Sequence, residues 1–121
     1  MAPEQEHLEA VCEAVLEIYR TEYDMASVKP TAYLVDDLLV CVLQESAERS
    51  TPGEEARAMA SRTAFQWANR ERFTDVVRRV TGRRVTTFMS ANHVGQGVFA
   101  ELFFLEPVEE AVLASRPGVA A

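Results

Sequence analysis

The segment Val98–Leu105, which reads VFAELFFL, decides the fold. Successive side chains of a strand point to opposite faces, and here both sets are apolar apart from Glu101. One set is Val98, Ala100, Leu102 and Phe104, and the other is Phe99, Phe103 and Leu105. An antiparallel strand with one face in water alternates apolar with polar residues. We therefore expect this strand to lie in a sheet that is covered on both sides.

Three further strands are predicted, at residues 31–35, 38–44 and 84–90. The first two flank the acidic pair Asp36-Asp37, which favours a turn because an aspartate side chain can bond its own backbone. The third is joined to Val98–Leu105 by a predicted loop at residues 91–97. The strands thus form two hairpins.

Two amphipathic helices precede the hairpins, at residues 4–24 and 52–81, where apolar residues recur at helical spacing. The second helix starts at Thr51, which opens a capping box. It would be about 30 residues or roughly 45 Å long. Since that is long for so small a domain, we expect a bend near residues 69–72.

The order of helix, hairpin, helix and hairpin predicts an α+β fold. It comprises two helix-plus-hairpin units, which form a four-stranded, mainly antiparallel sheet with two long helices. The length of 121 residues fits one domain. We assign that domain to residues 1–107 and expect a flexible C-terminal tail over residues 108–121.

Composition narrows the function classes. The net charge of −7 argues against a nucleic-acid partner, because proteins that bind this polyanion usually carry a basic face. The longest apolar run, at residues 38–43, is too short to insert across a membrane. The amino terminus lacks the pattern of a signal peptide, so we expect a cytoplasmic protein. Cys12 and Cys41 lie in apolar runs and are interpreted as core residues.

The apolar character of both strand faces also predicts self-association. Residues 38–43 fail to alternate in the same way as Val98–Leu105. Two helices cover one face of a sheet, and a second copy of the chain is the simplest cover for the other. We take Phe99, Phe103 and Leu105 as the candidate dimer surface. The alternative is a monomer whose helices divide between the two faces.

No catalytic motif is evident. Glu101 is either a functional carboxylate or a residue paired with an arginine or reaching water at a sheet edge. Ser90, Asn92 and His93 lie close in sequence, but nothing in the sequence orients the histidine as a base. We predict no enzymatic activity and keep Asn92 and His93 as candidate ligand contacts. Metal-ligand spacings and phosphate-binding loops are absent from the sequence, so no metal or cofactor is expected.

Arginines cluster late in the second helix and just after it, at Arg70, Arg72, Arg78, Arg79, Arg83 and Arg84. Arg78, Arg79 and Arg83, with Arg62 earlier in the helix, are the candidate contacts for a ligand or a partner. Such a cluster is typical of a docking face for an acidic surface or an anion. The alternative is that the basic helix pairs with the acidic first helix.

Three motifs resemble the carboxyl-terminal signature of the MpsC-like domain family. They are TGRRV at residues 81–85, FMSANH at residues 88–93 and VFAELFFLEP at residues 98–107. Arg62 and the VVRRV run at residues 76–80 are similar as well. The chain departs from the family pattern in the linker at residues 25–30 and in the loop at residues 94–97.

The MpsC-like family is named after a component of a bacterial sodium-translocating system that generates membrane potential. The resemblance implies an association with cation or inorganic-carbon transport across the membrane. With the apolar strand faces and the lack of a catalytic motif, it leads to the hypothesis of a small, non-enzymatic accessory or regulatory protein that acts as a homodimer with a membrane transport complex. A second hypothesis is a ligand-sensing domain that holds a small anion through the Asn92-His93 loop and nearby arginines.

Overall fold

The computed structural model describes residues 3–23, 28–45 and 51–107. Three helices are α1 (Pro3–Glu22), α2 (Pro52–Ala68) and α3 (Arg70–Thr81). Four strands are β1 (Val28–Val35), β2 (Leu38–Glu45), β3 (Val85–His93) and β4 (Val98–Leu105), with a short 3₁₀ turn at Val94–Gln96. These elements confirm the α+β fold. The predicted tail at residues 108–121 lies outside the described residues.

The second predicted helix is two helices, divided where the bend was expected. At its start, the backbone N–H of Glu54 donates to the Thr51 side chain over 3.2 Å. At Asn69 the backbone leaves helical geometry, with φ −104° and ψ 11°. The Asn69 side chain donates to the carbonyl of Phe65 over 3.0 Å, and the backbone N–H of Asn69 donates to the same carbonyl. Gly82 then ends α3 with φ 71°, in the left-handed region that glycine adopts without strain.

The sheet has the order β1-β2-β4-β3, and all neighbouring strands are antiparallel. Both predicted hairpins are present, and Asp36 takes a left-handed φ of 54° in the turn of the first. The prediction of a loop from residue 91 is wrong, because β3 continues to His93. Ala91 and Asn92 pair with Ala100 and Phe99 of β4, and this ladder outweighs the local turn preference of Asn92.

All three helices pack on one face of the sheet, which we call the covered face. Its buried strand residues are Leu39, Cys41, Leu43, Phe99, Glu101, Phe103 and Leu105. Aromatic rings join the layers: the Tyr19 ring of α1 lies 5.1 Å from Phe99, and Phe73 of α3 lies 5.8 Å from Phe88. The two cysteines are buried here as unpaired thiols, as the sequence suggested.

The opposite side of the sheet, which we call the open face, carries no helix among the described elements. Strand register aligns Tyr33, Val40, Leu102 and Met89 in one row across the four strands. The neighbouring row is Val35, Leu38, Phe104 and Thr87. Tyr33, Val35 and Met89 are each more than half exposed. A large apolar surface therefore faces outward.

The predicted dimer surface is wrong in its choice of side chains. Phe99, Phe103 and Leu105 are almost completely buried beneath the helices of the same chain. The alternation along β4 is as predicted, but the helices cover the set that contains these three residues. Leu102 and Phe104 belong to the set that remains open.

Candidate functional site

A buried carboxylate lies at the centre of the covered face. Glu101 of β4 has no exposed surface. Burial raises the pKa of its carboxyl from 4.5 to about 7, although hydrogen bonds from Ser90, Tyr19 and Gln66 and the charge of Arg62 act in the opposite direction. Glu101 can therefore gain or lose a proton near neutral pH.

Donors from three other elements surround this carboxylate. The hydroxyl of Tyr19 on α1 donates to Glu101 Oε1, and the hydroxyl of Ser90 on β3 donates to Oε2. Gln66 of α2 adds a bond from Nε2 to Oε1 over 3.0 Å. Three donors on one carboxylate stabilise its ionised form and lower the cost of burying it.

The network continues outward through two amides. Gln66 Nε2 lies 2.9 Å from Asn92 Oδ1, and Asn92 Nδ2 donates back to Gln66 Oε1 over 2.8 Å. Gln66 Nε2 also lies 3.0 Å from the Tyr19 hydroxyl. The reciprocal amide pair fixes Asn92 against α2, so the polar network links the core to the edge strand β3.

A cleft opens where this network approaches the surface. It has a volume of about 550 Å³ and lies between strand β3 and the facing residues 63–74 of α2 and α3, which we call the α2–α3 ridge. Gln66, Ser90 and Asn92 line it and also belong to the Glu101 network. Trp67 and Arg70 stand on its helical side, where the guanidinium of Arg70 lies 4.2 Å from the Trp67 ring centroid. We treat this cleft and the network behind it as the candidate site.

Sequence reasoning singled out Glu101 but not most of its partners. Tyr19 and Gln66 precede it by 82 and 35 positions, and each occupies an ordinary place in a helical pattern. The one available signal was Gln66 itself, a polar residue in line with the apolar stripe of α2. Ser90 and Asn92 stand out in the sequence only because they lie close to His93.

The prediction that Asn92 and His93 lie in a loop is wrong. Both residues belong to β3, where neighbours point to opposite faces. Asn92 points toward Gln66 on the covered face. His93 is exposed on the other side, and its Nδ1 accepts a bond from the backbone N–H of Gln96 over 3.2 Å. The histidine caps the 3₁₀ turn.

Arg62 is a core residue. Its side chain pairs with Glu45 at 2.5 Å and lies over the ring of Phe99 at 4.2 Å. Its Nε and one Nη are buried without a hydrogen-bond partner within the part of the chain that the structure describes. This position differs from the surface contact that the sequence suggested, because α2 turns Arg62 inward beside Gln66.

The remaining candidate arginines are separated by the fold. Arg83 is largely buried, and it binds the carboxylate of Asp37 over 2.6 Å and the carbonyl of Glu106 over 2.8 Å. Arg78 and Arg79 are exposed and pair with Asp75 on their own helix. Of these three arginines, Arg83 joins distant segments, whereas Arg78 and Arg79 make contacts within α3.

The alternative of pairing between the basic and acidic helices holds at one position of the cluster. Arg72 of α3 meets Glu22 of α1 over 2.6 Å. Arg84 instead pairs with Glu106 at 3.5 Å, and Arg70 stacks on Trp67. The basic residues therefore divide among several local contacts.

The site provides hydrogen-bonding groups and one carboxylate that titrates near neutrality. Across residues 3–23, 28–45 and 51–107, no group of three or more His, Cys, Asp and Glu side chains is arranged to hold a metal ion. None of the described helices is both long enough and apolar enough to cross a membrane. The chain matches no family model, curated protein or solved structure.

Proposed function

We propose that this chain is a small, cytoplasmic, non-enzymatic accessory protein that acts as a homodimer through its open face. The supporting observation is the composition of that face. The chain has 19 acidic residues, yet none of the described strand residues that point to the open face is Asp or Glu. The two carboxylates of the described strands, Glu45 and Glu101, both point to the helical side, and Lys29 is the one charged residue among the described strand positions of the open face.

A second copy suits this face better than an acidic or basic partner. Two chains of net charge −7 repel each other, and this repulsion is reduced where they meet through surfaces without carboxylates. The four strands span about 19 Å by 26 Å, roughly 500 Å² in projection. Protruding side chains raise the accessible area toward the roughly 800 Å² per partner that stable interfaces bury. A twofold arrangement would place apolar rows against apolar rows.

Sedimentation velocity at micromolar concentration tests the dimer. We expect the wild type to sediment as a dimer. Leu102→Asp should sediment as a folded monomer, because the carboxylate would be buried without a partner in the interface. Met59→Asp, a matched change at an exposed apolar residue of α2, should remain dimeric. A wild-type protein that is monomeric throughout would overturn the proposal.

Association with a membrane transport complex rests on the resemblance to the MpsC-like family, which remains a prediction. Arg78 and Arg79 offer an exposed basic surface for an acidic partner. Changing both to glutamate should abolish co-purification with the membrane subunits of such a complex. The melting temperature should change little, since exposed ion pairs contribute little to stability. A large fall in melting temperature, with no membrane subunit recovered even by the wild type, would contradict this role.

The alternative of a small-anion sensor has less support. Arg62 and Arg83, two of its four candidate arginines, are already neutralised by Glu45 and Asp37 within the fold. Asn92 and His93 line one cleft beside α2, but that lining includes Glu55 and none of the four candidate arginines.

A further inference from the structure

The cleft between α2–α3 and β3 has the size and lining of a small-molecule site. Its volume of about 550 Å³ lies within the range of ligand pockets, roughly 300–1,000 Å³. Its walls combine apolar and polar groups: the indole of Trp67, the ring of Phe88, and the polar floor of Gln66, Ser90 and Asn92. Thr87 and Met89, which belong to the rows of the open face, also line it, so the cleft borders the proposed dimer surface along β3.

The hydrogen bonds of the floor define what it can recognise. The Ser90 hydroxyl donates its proton to Glu101, and its oxygen lone pairs remain able to accept a bond. Asn92 uses one amide hydrogen on Gln66, and the other has no acceptor among the described residues. The floor therefore presents an acceptor and a donor. They stand two residues apart on the same face of one strand, about 6.6 Å between their backbones.

The complement of such a floor is a group that carries a donor and an acceptor together, as a carboxamide or a lactam does. Trp67 is two-thirds exposed and presents a flat apolar surface beside the floor, which suits a planar ligand. Arg70 is already stacked on this indole, and it donates to the backbone carbonyl of Trp67 over 2.7 Å.

Charge in and behind the floor disfavours an anion. The carboxylate of Glu101 lies directly behind Ser90, and Glu71 stands on the helical wall. A cation is disfavoured as well, because Arg70 on the same wall repels it and Asn92 presents an amide hydrogen where a cation needs an acceptor. An uncharged ligand avoids both costs.

We propose that this cleft binds a small, uncharged, planar molecule through an amide-like group held by Ser90 and Asn92, with its ring against Trp67. The ligand class is set by the floor's hydrogen bonds and by the charges around it. The site is distinct from the predicted anion loop in both its residues and its ligand.

Three isosteric probes test the ligand class: benzamide, benzoate and benzamidine, which are neutral, anionic and cationic at pH 8. Trp67 is the sole tryptophan, so its fluorescence reports directly on the cleft. We expect benzamide to bind with a dissociation constant on the order of 1 mM, the affinity usual for so small a molecule. It should also shift the amide NMR signals of Ser90 and Asn92. Benzoate and benzamidine should each bind about tenfold more weakly or worse.

Substitutions locate the binding. Ser90→Ala removes the acceptor and should weaken benzamide binding about tenfold, the equivalent of one hydrogen bond. Because this change also removes a partner of buried Glu101, Trp67→Leu at an exposed position provides a second variant, read by the NMR shifts. It should weaken binding several-fold without unfolding the protein. Thr31→Ala, a polar truncation on β1, is the matched control and should bind as the wild type does.

Several results would overturn the proposal. Benzoate or benzamidine binding as tightly as benzamide would show that the floor does not select an uncharged group. Chemical shifts that map outside β3 and the α2–α3 ridge would place the binding elsewhere. Absence of any response to 20 mM benzamide, roughly twenty times the expected constant, would show that the cleft does not recognise this chemistry.

Discussion

The two faces of the sheet are built from the same four strands, but helices cover one face and no described element covers the other. The covered face is sealed by three helices and yet contains a carboxylate, Glu101, which four side chains surround. Among the described strand residues, none on the open face carries a carboxylate, and its apolar residues are exposed or partly exposed. Burial of charge is tolerated where donors converge, and exposure of apolar surface is expected where a second copy can cover it.

Adjacent residues of β4 illustrate the contrast. Phe103 is fully buried under the helices, whereas Phe104 is more than a third exposed. Their side chains are identical, and only the parity of their positions separates them. The packing of the helices determines which of the two alternating sets of side chains is buried, and the strand sequence alone does not contain that information.

The largest expected effect compares truncations on the two faces. Phe103→Ala should lower the free energy of unfolding by about 3–5 kcal/mol, because it leaves a cavity in the core. Phe104→Ala should cost less than about 1 kcal/mol in the monomer. Urea unfolding at submicromolar concentration measures both without a contribution from association. Similar losses for the two variants would contradict the assignment of the faces.

The carboxylate of the covered face should make stability depend on pH. The pKa of Glu101 is raised in the folded chain, from 4.5 to about 7, so the folded state binds more protons than the unfolded state between these values. The contribution of Glu101 to the free energy of unfolding should therefore be greatest below about pH 4.5, and it should decline as pH rises through 7. The shift corresponds to about 3 kcal/mol.

Glu101→Gln isolates this effect, because the amide keeps the shape of the side chain and does not titrate. The difference in unfolding free energy between variant and wild type should grow in favour of the variant from pH 4.5 to 8. A difference that stays constant over this range would show that Glu101 keeps an ordinary pKa.

A smaller effect separates the arginines that the sequence grouped together. Arg83→Met should cost about 1–3 kcal/mol, since Asp37 and the carbonyl of Glu106 lose a largely buried partner. Arg79→Met should cost less than about 0.5 kcal/mol, because its contact with Asp75 is exposed. Thermal or urea unfolding distinguishes them, and equal losses would indicate that Arg79 has a structural role.

Much of the fold followed from local patterns. Helical spacing, the Thr51 cap and the acidic turn at Asp36 depend on neighbouring residues and were predicted. The bend near Asn69 followed from length alone. The extension of β3 to His93 did not, because pairing with β4 across a tight turn overrides the loop preference of its residues.

The candidate site was harder to predict from the sequence than the fold. Glu101 stood out as a charge within an apolar strand, but its partners Tyr19, Gln66 and Ser90 come from three other elements. Their convergence is a property of the tertiary packing. The arginine cluster does not form a single site, for a related reason. Residues that are close in sequence on a helix and its following turn do not all point to one surface.

Thiol labelling tests most directly whether a second copy of the chain covers the open face. In Ala100→Cys the new thiol lies in the middle of that face, whereas native Cys12 and Cys41 are buried and should react slowly in the folded protein. Ser61→Cys, at an exposed position on α2, is the matched control.

Maleimide labelling of the thiol at position 100 should be fast in dilute protein and at least about tenfold slower at concentrations where the dimer forms, while the control reacts at one rate throughout. Equal labelling of the two variants at every concentration would show that the open face stays exposed and would contradict the account.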